Sequence, residues 1–367
     1  MPAYLDRYSP REPWKLFPGI DAQFDRSNAN HLDIGLVNNM PDGALEATEN
    51  QFTTLLNSAA DGVMVRLRLY ALPDVPRSAS GRQQIHSFYS PIEDLWDRHL
   101  DGLIITGTKP RASNLREEPY WASMSRLFEW AQHNTHSTIC SCLAAHAAVL
   151  HLDGIQRQRL PEKRFGLFEC SPVADHHLMS AMPARFPMPH SRYNDLPENE
   201  LRACGYSILT RSREAGVDAF AKHGESLFVF FQSHPEYHAD TLLREYTRDL
   251  GRYFSGRDDS LPLLPRGYFE PEVAHTIAEL RQRALHNSGD DLSTGFKSAL
   301  AGSKLTNRWH SPATRIYGNW LEYLRVRKQQ SRTKQPDRIL PATWLSDAFQ
   351  SSRLRAFSTG PDSASNS

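Results

Sequence analysis

Two stretches of the sequence carry residue types whose spacing is typical of nucleophilic thiol chemistry. In HSTICSCLAAHAAVL (136–150), a β-branched run reaches Cys142 and continues into an alanine-rich segment. A residue at such a strand-to-helix corner lies at the edge of a sheet, near backbone N–H groups and the positive end of a helix dipole. Because the thiolate is the reactive form of cysteine and these surroundings favour it, we predict that Cys142 is a nucleophile. Cys140 is predicted to lie in the core.

The second stretch, FVFFQSHPEY (228–237), supplies a base and a carboxylate. A buried strand here runs out into His234 and Glu236. Residues two apart on an extended chain share one face, so Glu236 can orient His234 and stabilise its charged form. A lone histidine at a strand end is more often structural. A histidine with a carboxylate, matched by a cysteine at the end of another strand, meets the requirements of thiol catalysis.

The composition restricts the classes of partner and site. Lysine plus arginine equals aspartate plus glutamate, 42 each, so the chain has no net charge that attracts nucleic acid or an anionic membrane, and small-molecule substrates are favoured. Four cysteines in 367 residues are too few for a disulfide scaffold, which fits a reducing cytoplasm. We predict no metal site, because no second Cys/His pair with zinc spacing lies near Cys140 and Cys142. The sequence also predicts no secretory leader and no membrane-spanning helix.

The pattern of apolar runs predicts an α/β fold. Strands are indicated at LDIGLV, GVMVRLRLYAL, DGLIITG and STICS, with helical or polar segments between them. This alternation predicts a mostly parallel sheet flanked by helices on both faces. GVMVRLRLYAL alternates apolar and polar residues, which indicates a half-exposed strand. Runs after residue 160, at FGLFE, YSILTRS and SLFVFFQ, indicate antiparallel additions and a last parallel strand.

The domain organisation follows from where the apolar residues stop. We assign a catalytic domain to residues 1–325 and a basic, Ser-rich, poorly ordered tail to residues 326–367, because the second segment has few residues of the kind that build a core. Residues 73–90 are predicted to form a polar loop.

Several longer stretches resemble one protein family and follow one another in order between residues 32 and 325. They are DGLIITG, EPYW, CLAAHAAVL, LPEKRFGLF, PHSRYNDL, EAGV, HPEY, LLREYTRDL, GYF and WHSPATRIYGNWLEYL. The chain resembles the homoserine O-acyltransferases of methionine biosynthesis, the homoserine O-succinyltransferase group. The resemblance implies a class I glutamine amidotransferase-like (flavodoxin-like) fold and acyl transfer from an acyl-CoA to homoserine without a bound cofactor. It also suggests a homodimer.

The resemblance assigns roles to particular residues. It makes Cys142 the acyl-thioester nucleophile, His234 the general base and Glu236 its partner. The substrate-contacting residues that it implies are Lys163, Ser191 and Arg248. Such an arginine can hold an α-carboxylate bidentately, while the lysine supplies a point charge and the serine a hydrogen bond.

The chain departs from the usual family pattern around the acyl site. The nucleophile is typically followed by Trp-Gly-Ala-Gln, but here Ala144 replaces the glycine and His146 replaces the glutamine. The lysine that usually follows NLMP is missing, and Asp42 follows NNMP instead. These differences indicate a rebuilt acyl site.

Position 111, which helps to set acyl choice in the family and is commonly Gly or Glu, is Arg111 here. An arginine in a loop at the carboxyl edge of the sheet can pair with the distal carboxylate of a succinyl group, where a glutamate would repel it. We therefore predict succinyl-CoA as the donor. The alternative is that Arg111, together with Lys109, faces solvent or the phosphates of CoA.

These residues predict a ping-pong acyl transfer. The backbone N–H of Leu143 and one from the loop at Gly107 and Thr108 are predicted to hold the oxyanion. Three alternatives remain open. They are an acyltransferase that uses acetyl-CoA or another hydroxy or thiol amino acid, an amidotransferase-type hydrolase of γ-glutamyl bonds, and a catalytically silent member that only binds a ligand.

Overall fold

A computed structural model describes residues 3–6, 27–286 and 290–334 of the chain. Within them, ten strands form one sheet in the order β1-β3-β2-β4-β5-β10-β9-β8-β6-β7. The strands are Ala3–Asp6 (β1), His31–Val37 (β2), Met64–Tyr70 (β3), Leu100–Ile105 (β4), Thr135–Ser141 (β5), Gln158–Pro172 (β6), Phe186–Asp195 (β7), Ser207–Ser212 (β8), Gly216–Lys222 (β9) and Leu227–Phe231 (β10).

In the first half of the chain the helices alternate with the strands, and after the last strand the named elements are all helices. The helices are Leu45–Ala59 (α1), Ala79–Phe88 (α2), Glu93–Trp96 (α3), Trp121–Asn134 (α4), Leu143–Asp153 (α5), Glu198–Ala203 (α6), Thr241–Phe254 (α7), Pro271–His286 (α8), Asp290–Ala301 (α9) and His310–Lys334 (α10). Among these described helices, none has both the length and the apolar composition needed to cross a bilayer.

The sheet has a parallel half and an antiparallel half. Strands β1 to β5 and β10 pair in parallel, whereas β9, β8, β6 and β7 extend the sheet in antiparallel fashion beyond β10. In the parallel pair of β5 and β10, Ser141 lies opposite Phe231. The carboxyl ends of the strands that precede Cys142 and His234 are therefore neighbours.

Apolar side chains cover both faces of the sheet. On β10, the odd-numbered residues from Leu227 to Phe231 belong to one hydrophobic cluster, while Phe228 and Phe230 belong to the other. Because side chains alternate along a strand, the two clusters lie on opposite faces. The first includes residues of α1 and α7 to α10, and the second includes residues of α3 to α6. The predicted α/β fold with helices on both faces and antiparallel additions is confirmed.

Strand β3 is buried on both faces, so the prediction of a half-exposed strand is wrong. Arg66 is only 4% exposed, and its guanidinium lies 2.6 Å from the carboxylate of Asp33 on β2. The strand lies between β1 and β2 in the sheet, and the pairing with Asp33 neutralises the charge while the arginine stem packs in the interior. The predicted loop at 73–90 also differs, because it contains helix α2, which Ser78 caps by accepting a bond from the Gly81 amide.

Helix α10 continues past the predicted domain boundary at 325. The first compact unit of the chain ends at Lys328, within this helix. The ammonium of Lys328 lies 2.8 Å from the carboxylate of Asp101 on β4 and donates to the carbonyl of His31 at 2.7 Å. The first residues of the predicted tail therefore contribute to the first unit, while residues 335–367 lie outside the described residues.

The buried pair between Lys328 and Asp101 should stabilise the fold. We expect Lys328→Met to lower the free energy of unfolding by about 3 kcal/mol, because the substitution leaves Asp101 buried without its cation. Chemical denaturation followed by circular dichroism measures the change. Arg325→Met, which removes the more exposed ion pair with Glu322, is the matched control and should cost less than about 1 kcal/mol. Equal losses in the two variants would contradict a stabilising role for the buried pair.

Candidate active site

Cys142 lies in the sharp turn between β5 and α5. Its backbone has φ 52° and ψ −114°, a conformation that residues other than glycine rarely adopt and that is concentrated at functional sites. Its amide donates a 2.8 Å hydrogen bond to the carbonyl of Phe231, the last residue of β10. Helix α5 begins at Leu143, so the thiol stands at a helix amino terminus, as the sequence predicts. Cys140 is fully buried, as predicted, and burial raises the pKa of its thiol.

His234 and Glu236 form a buried pair. The imidazole Nδ1 lies 2.8 Å from Oε1 of Glu236, and both residues are 6% exposed. The His234 amide donates to the carbonyl of Pro189, and its ring stacks on Tyr237 with the ring centroids 4.2 Å apart. Burial disfavours the charged imidazole, but Glu236 and the Cys142 thiolate outweigh burial and hold the pKa of His234 well above its usual range. The arrangement therefore favours the charged imidazolium form of His234, held between the Glu236 carboxylate and the sulfur of Cys142.

Gly107 allows the loop after β4 to lie against the start of α5. A Cβ atom added to Gly107 would lie 2.5 Å from Cβ of Leu143 and 2.9 Å from its backbone nitrogen, distances that are too short for real contacts. Glycine is required for this close approach. Thr108, the next residue, lines the same cavity as Leu143 and Cys142. Both predicted oxyanion residues thus line the cavity that holds the thiol.

Every predicted site residue except Arg111 lines one cavity of about 880 Å³. It lies where the carboxyl ends of β4, β5 and β10 meet strands β6 and β7 and helix α7. Its predicted members are Thr108, Cys142, Leu143, Lys163, Ser191, His234, Glu236 and Arg248. Residues from distant parts of the sequence are therefore assembled around one thiol.

The family model described as homoserine O-succinyltransferase matches residues 20–331. The chain belongs to this family. The homoserine O-succinyltransferase of Rhodopseudomonas palustris is 51% identical to it over 261 residues, which cover 71% of this chain and 78% of the relative. That of Bradyrhizobium japonicum is 49% identical over 294 residues, which cover 80% of this chain and 90% of the relative.

Solved structures of similar shape include a glutamine amidotransferase from Methylobacillus flagellatus. The two sequences are 15% identical, the match covers 80% of this chain and 95% of the amidotransferase chain, and the TM-score is 0.45.

Membership of the homoserine O-succinyltransferase family confirms the predicted family and the predicted enzyme class, an acyltransferase.

The residues that the family suggests for substrate contact lie beside two acids on α7. Nζ of Lys163 is 3.6 Å from Oε2 of Glu245 and 3.5 Å from Oδ2 of Asp249. The Ser191 hydroxyl donates a 2.5 Å hydrogen bond to Oε2 of Glu245. The Arg248 guanidinium lies 2.8 Å from Oδ1 of Asp249. The cavity wall therefore presents positive and negative groups side by side.

Sequence reasoning does not identify Glu245, although it contacts two predicted residues and accepts a 2.6 Å hydrogen bond from Tyr237. A signal is present in the helical spacing. Glu245 precedes Arg248 by three residues and Asp249 by four, which places all three on one face of α7.

Sequence reasoning also does not identify Gln232. This residue links helix α5, which follows the nucleophile, to the end of β10, which precedes the base. His146 lies one helical turn after Cys142, and its Nε2 is 2.9 Å from Oε1 of Gln232, two residues before His234. The side-chain Nε2 of Gln232 donates a 3.0 Å hydrogen bond to Oδ1 of Asp195. Burial lowers the pKa of His146 to about 3, so the ring is neutral and fits a neutral hydrogen bond. The family's usual glutamine is thus replaced by a ring with a defined partner.

Arg111 does not line the cavity of Cys142. It lies on the wall of a second cavity of about 480 Å³, together with His146 and two further arginines, Arg157 and Arg159. Arg159 lines both cavities. The predicted donor-specificity residue is therefore next to the nucleophile's cavity and not inside it.

Among the described residues, one group of side chains has the spacing of a metal site: Cys170, His190 and Asp218, all buried. The Nδ1 atom of His190 accepts a hydrogen bond from Nε of Arg192 at 3.3 Å. The ring proton then belongs on Nε2, 3.5 Å from Oδ1 of Asp218, and leaves no lone pair for a metal. The geometry favours a network of polar groups over a metal site.

The hydrogen bonds of Gln232 should stabilise the junction between α5 and β10. We expect Gln232→Leu to lower the free energy of unfolding by about 2 kcal/mol, because His146 and the Val217 carbonyl each lose a buried hydrogen bond and Asp195 loses a partly buried one. Thermal and chemical denaturation measure this change. Gln83→Leu, the same substitution at an exposed position of α2, should change stability by less than about 0.5 kcal/mol. A loss at position 232 no larger than at position 83 would contradict the prediction.

Proposed function

We propose that this protein transfers a succinyl group from succinyl-CoA to the hydroxyl of homoserine through a thioester on Cys142. The proposal rests on one observation above all. The strained Cys142 shares a cavity with the buried pair of His234 and Glu236, in a chain of the homoserine O-succinyltransferase family. The predicted homodimer and the cytoplasmic location remain predictions.

The first half-reaction forms the acyl-enzyme. The Cys142 thiolate attacks the thioester carbonyl of the donor, and the oxyanion accepts hydrogen bonds from the backbone N–H groups of Leu143 and Thr108. The carbon–sulfur bond to CoA then breaks, and CoA leaves as a thiolate that takes the proton from the His234 imidazolium. Glu236 holds the ring in place throughout.

The second half-reaction transfers the acyl group to the acceptor. His234, now neutral, accepts the proton of the homoserine hydroxyl while its oxygen attacks the thioester on Cys142. The bond between the carbonyl carbon and sulfur breaks, which releases the O-acyl ester and restores the thiolate and imidazolium pair.

The charges of the cavity wall suit an amino-acid acceptor. Homoserine carries an α-carboxylate and an α-ammonium group, and the wall offers Arg248 and Lys163 beside Glu245 and Asp249. Arg248 is the exposed cation of this group and can bind the carboxylate bidentately. The acids can accept hydrogen bonds from the ammonium group.

Intact-mass measurement tests the thioester directly. Incubation with succinyl-CoA should add one succinyl group to the wild type and to Cys204→Ser, the matched control, but none to Cys142→Ser, which lacks the nucleophile. Homoserine should discharge the adduct, and serine should discharge it at least tenfold more slowly. A wild type that never gains an adduct would indicate a silent ligand-binding member, and faster acylation by acetyl-CoA would overturn the choice of donor.

Donor preference tests the role of Arg111. We expect Arg111→Glu to lower the ratio of kcat/KM for succinyl-CoA to that for acetyl-CoA by about tenfold, because a glutamate repels the distal carboxylate. Arg116→Glu makes the same charge change at an exposed position that lines neither cavity, and it should leave the ratio unchanged. An unchanged ratio in Arg111→Glu would contradict a contact between Arg111 and the distal carboxylate of the donor.

A further inference from the structure

The second cavity is lined by three arginines. Its charged lining residues are Arg111, Arg157 and Arg159, and none of its described lining residues is acidic. His146, also on its wall, is neutral. The chain as a whole has no net charge, but three guanidinium groups lie together on this cavity wall and no acidic residue lines it with them. Such a concave positive surface attracts anions.

The loop that carries Arg111 is held in a fixed conformation. The amides of Arg111 and Ala112 both donate to Oε1 of the buried Glu118. Arg157, which comes 44 residues after Ser113 in the sequence, donates a 3.1 Å hydrogen bond to the Ser113 carbonyl. A buried acid and a half-buried arginine thus fix the loop backbone, while the Arg111 side chain stays exposed in the cavity.

Arg159 is available to a ligand. Its guanidinium lies over the ring of Tyr193, 4.6 Å from the ring centroid, at the point shared by the two cavities. Within the described part of the chain, no carboxylate forms an ion pair with Arg159 or with the side chain of Arg111. A bound anion would relieve the repulsion between these like charges.

Arg159 connects the second cavity to the cavity of the nucleophile, because it lines both. A donor whose anionic group pairs with Arg159 can therefore extend from the second cavity into the cavity that holds Cys142.

We propose that the second cavity is an anion-binding subsite for the acyl donor, in which Arg159, supported by Arg157 and Arg111, pairs with a negatively charged group of the molecule that acylates Cys142. This inference rests on the proposed function and adds a recognition site to it. Two parts of succinyl-CoA have the required chemistry, namely the distal carboxylate of the acyl group and the phosphates of CoA.

Three donors distinguish these two sources: succinyl-CoA, acetyl-CoA and the succinyl thioester of N-acetylcysteamine, which has the carboxylate but no phosphate. The rate of Cys142 acylation is measured for each by rapid quenching and intact mass, in the wild type, Arg159→Met and Arg159→Lys. We expect Arg159→Met to slow acylation by about tenfold for the donors that carry the recognised group, and Arg159→Lys to recover part of the rate.

The pattern of slowing identifies the group. Loss confined to the two succinyl donors assigns the subsite to the carboxylate, and loss confined to the two CoA donors assigns it to phosphate. Arg116→Met, which removes an exposed arginine outside both cavities, is the matched control and should change no rate. Unchanged rates in Arg159→Met, or equal slowing with all three donors, would overturn the inference while the proposed function stands.

A binding measurement separates failure of the inference from failure of the proposed function. If the wild type is not acylated by any donor, the proposed function fails, and isothermal titration of CoA and of succinate then tests the subsite alone. The inference requires that one of these anions binds the wild type and Arg116→Met about tenfold more tightly than Arg159→Met. Equal binding by the three proteins, or no binding, would overturn it.

Discussion

The parallel pairing of β5 with β10 is the constraint on which the site depends. Neighbouring strands lie about 4.8 Å apart, so the residues that follow them are held close together wherever they lie in the sequence. Here Ser141 lies opposite Phe231, and the Cys142 amide closes the pair by binding the Phe231 carbonyl. The thiol and His234 therefore share a cavity because of sheet register, before any side-chain contact between them is considered.

Sheet register brings the groups together, and electrostatics then determines their charge states. Burial alone would favour a neutral imidazole at His234, but a carboxylate at Glu236 and a thiolate at Cys142 reverse that preference. Their attraction is strong because water is largely excluded from the pair. The same exclusion makes misplacement costly, so the backbone that carries the pair must be rigid. The buried hydrogen bond between Gln232 and His146 links the two elements that carry the pair.

Sequence patterns predict the parts of the site that depend on short-range order. The corner at Cys142 and the strand end at His234 are visible because apolar strands stop there. Gln232 is not visible, since its partners lie on other elements and a glutamine at a strand end has no distinctive spacing. Glu245 is visible only once α7 is known to face the cavity. Lys328 is hidden in a basic segment typical of a solvated tail, because the buried acid that it pairs with comes from a distant strand.

The two halves of the sheet contribute different things to the cavity. The parallel half supplies Cys142 and His234, whereas the antiparallel strands β6 and β7 supply Lys163, Ser191 and Arg159. The groups proposed to recognise substrates thus lie on other strands than those that precede the nucleophile and the base. The histidine that departs from the family pattern after the nucleophile, His146, is accommodated in the interior. Its ring forms a hydrogen bond with Gln232, the residue that follows β10.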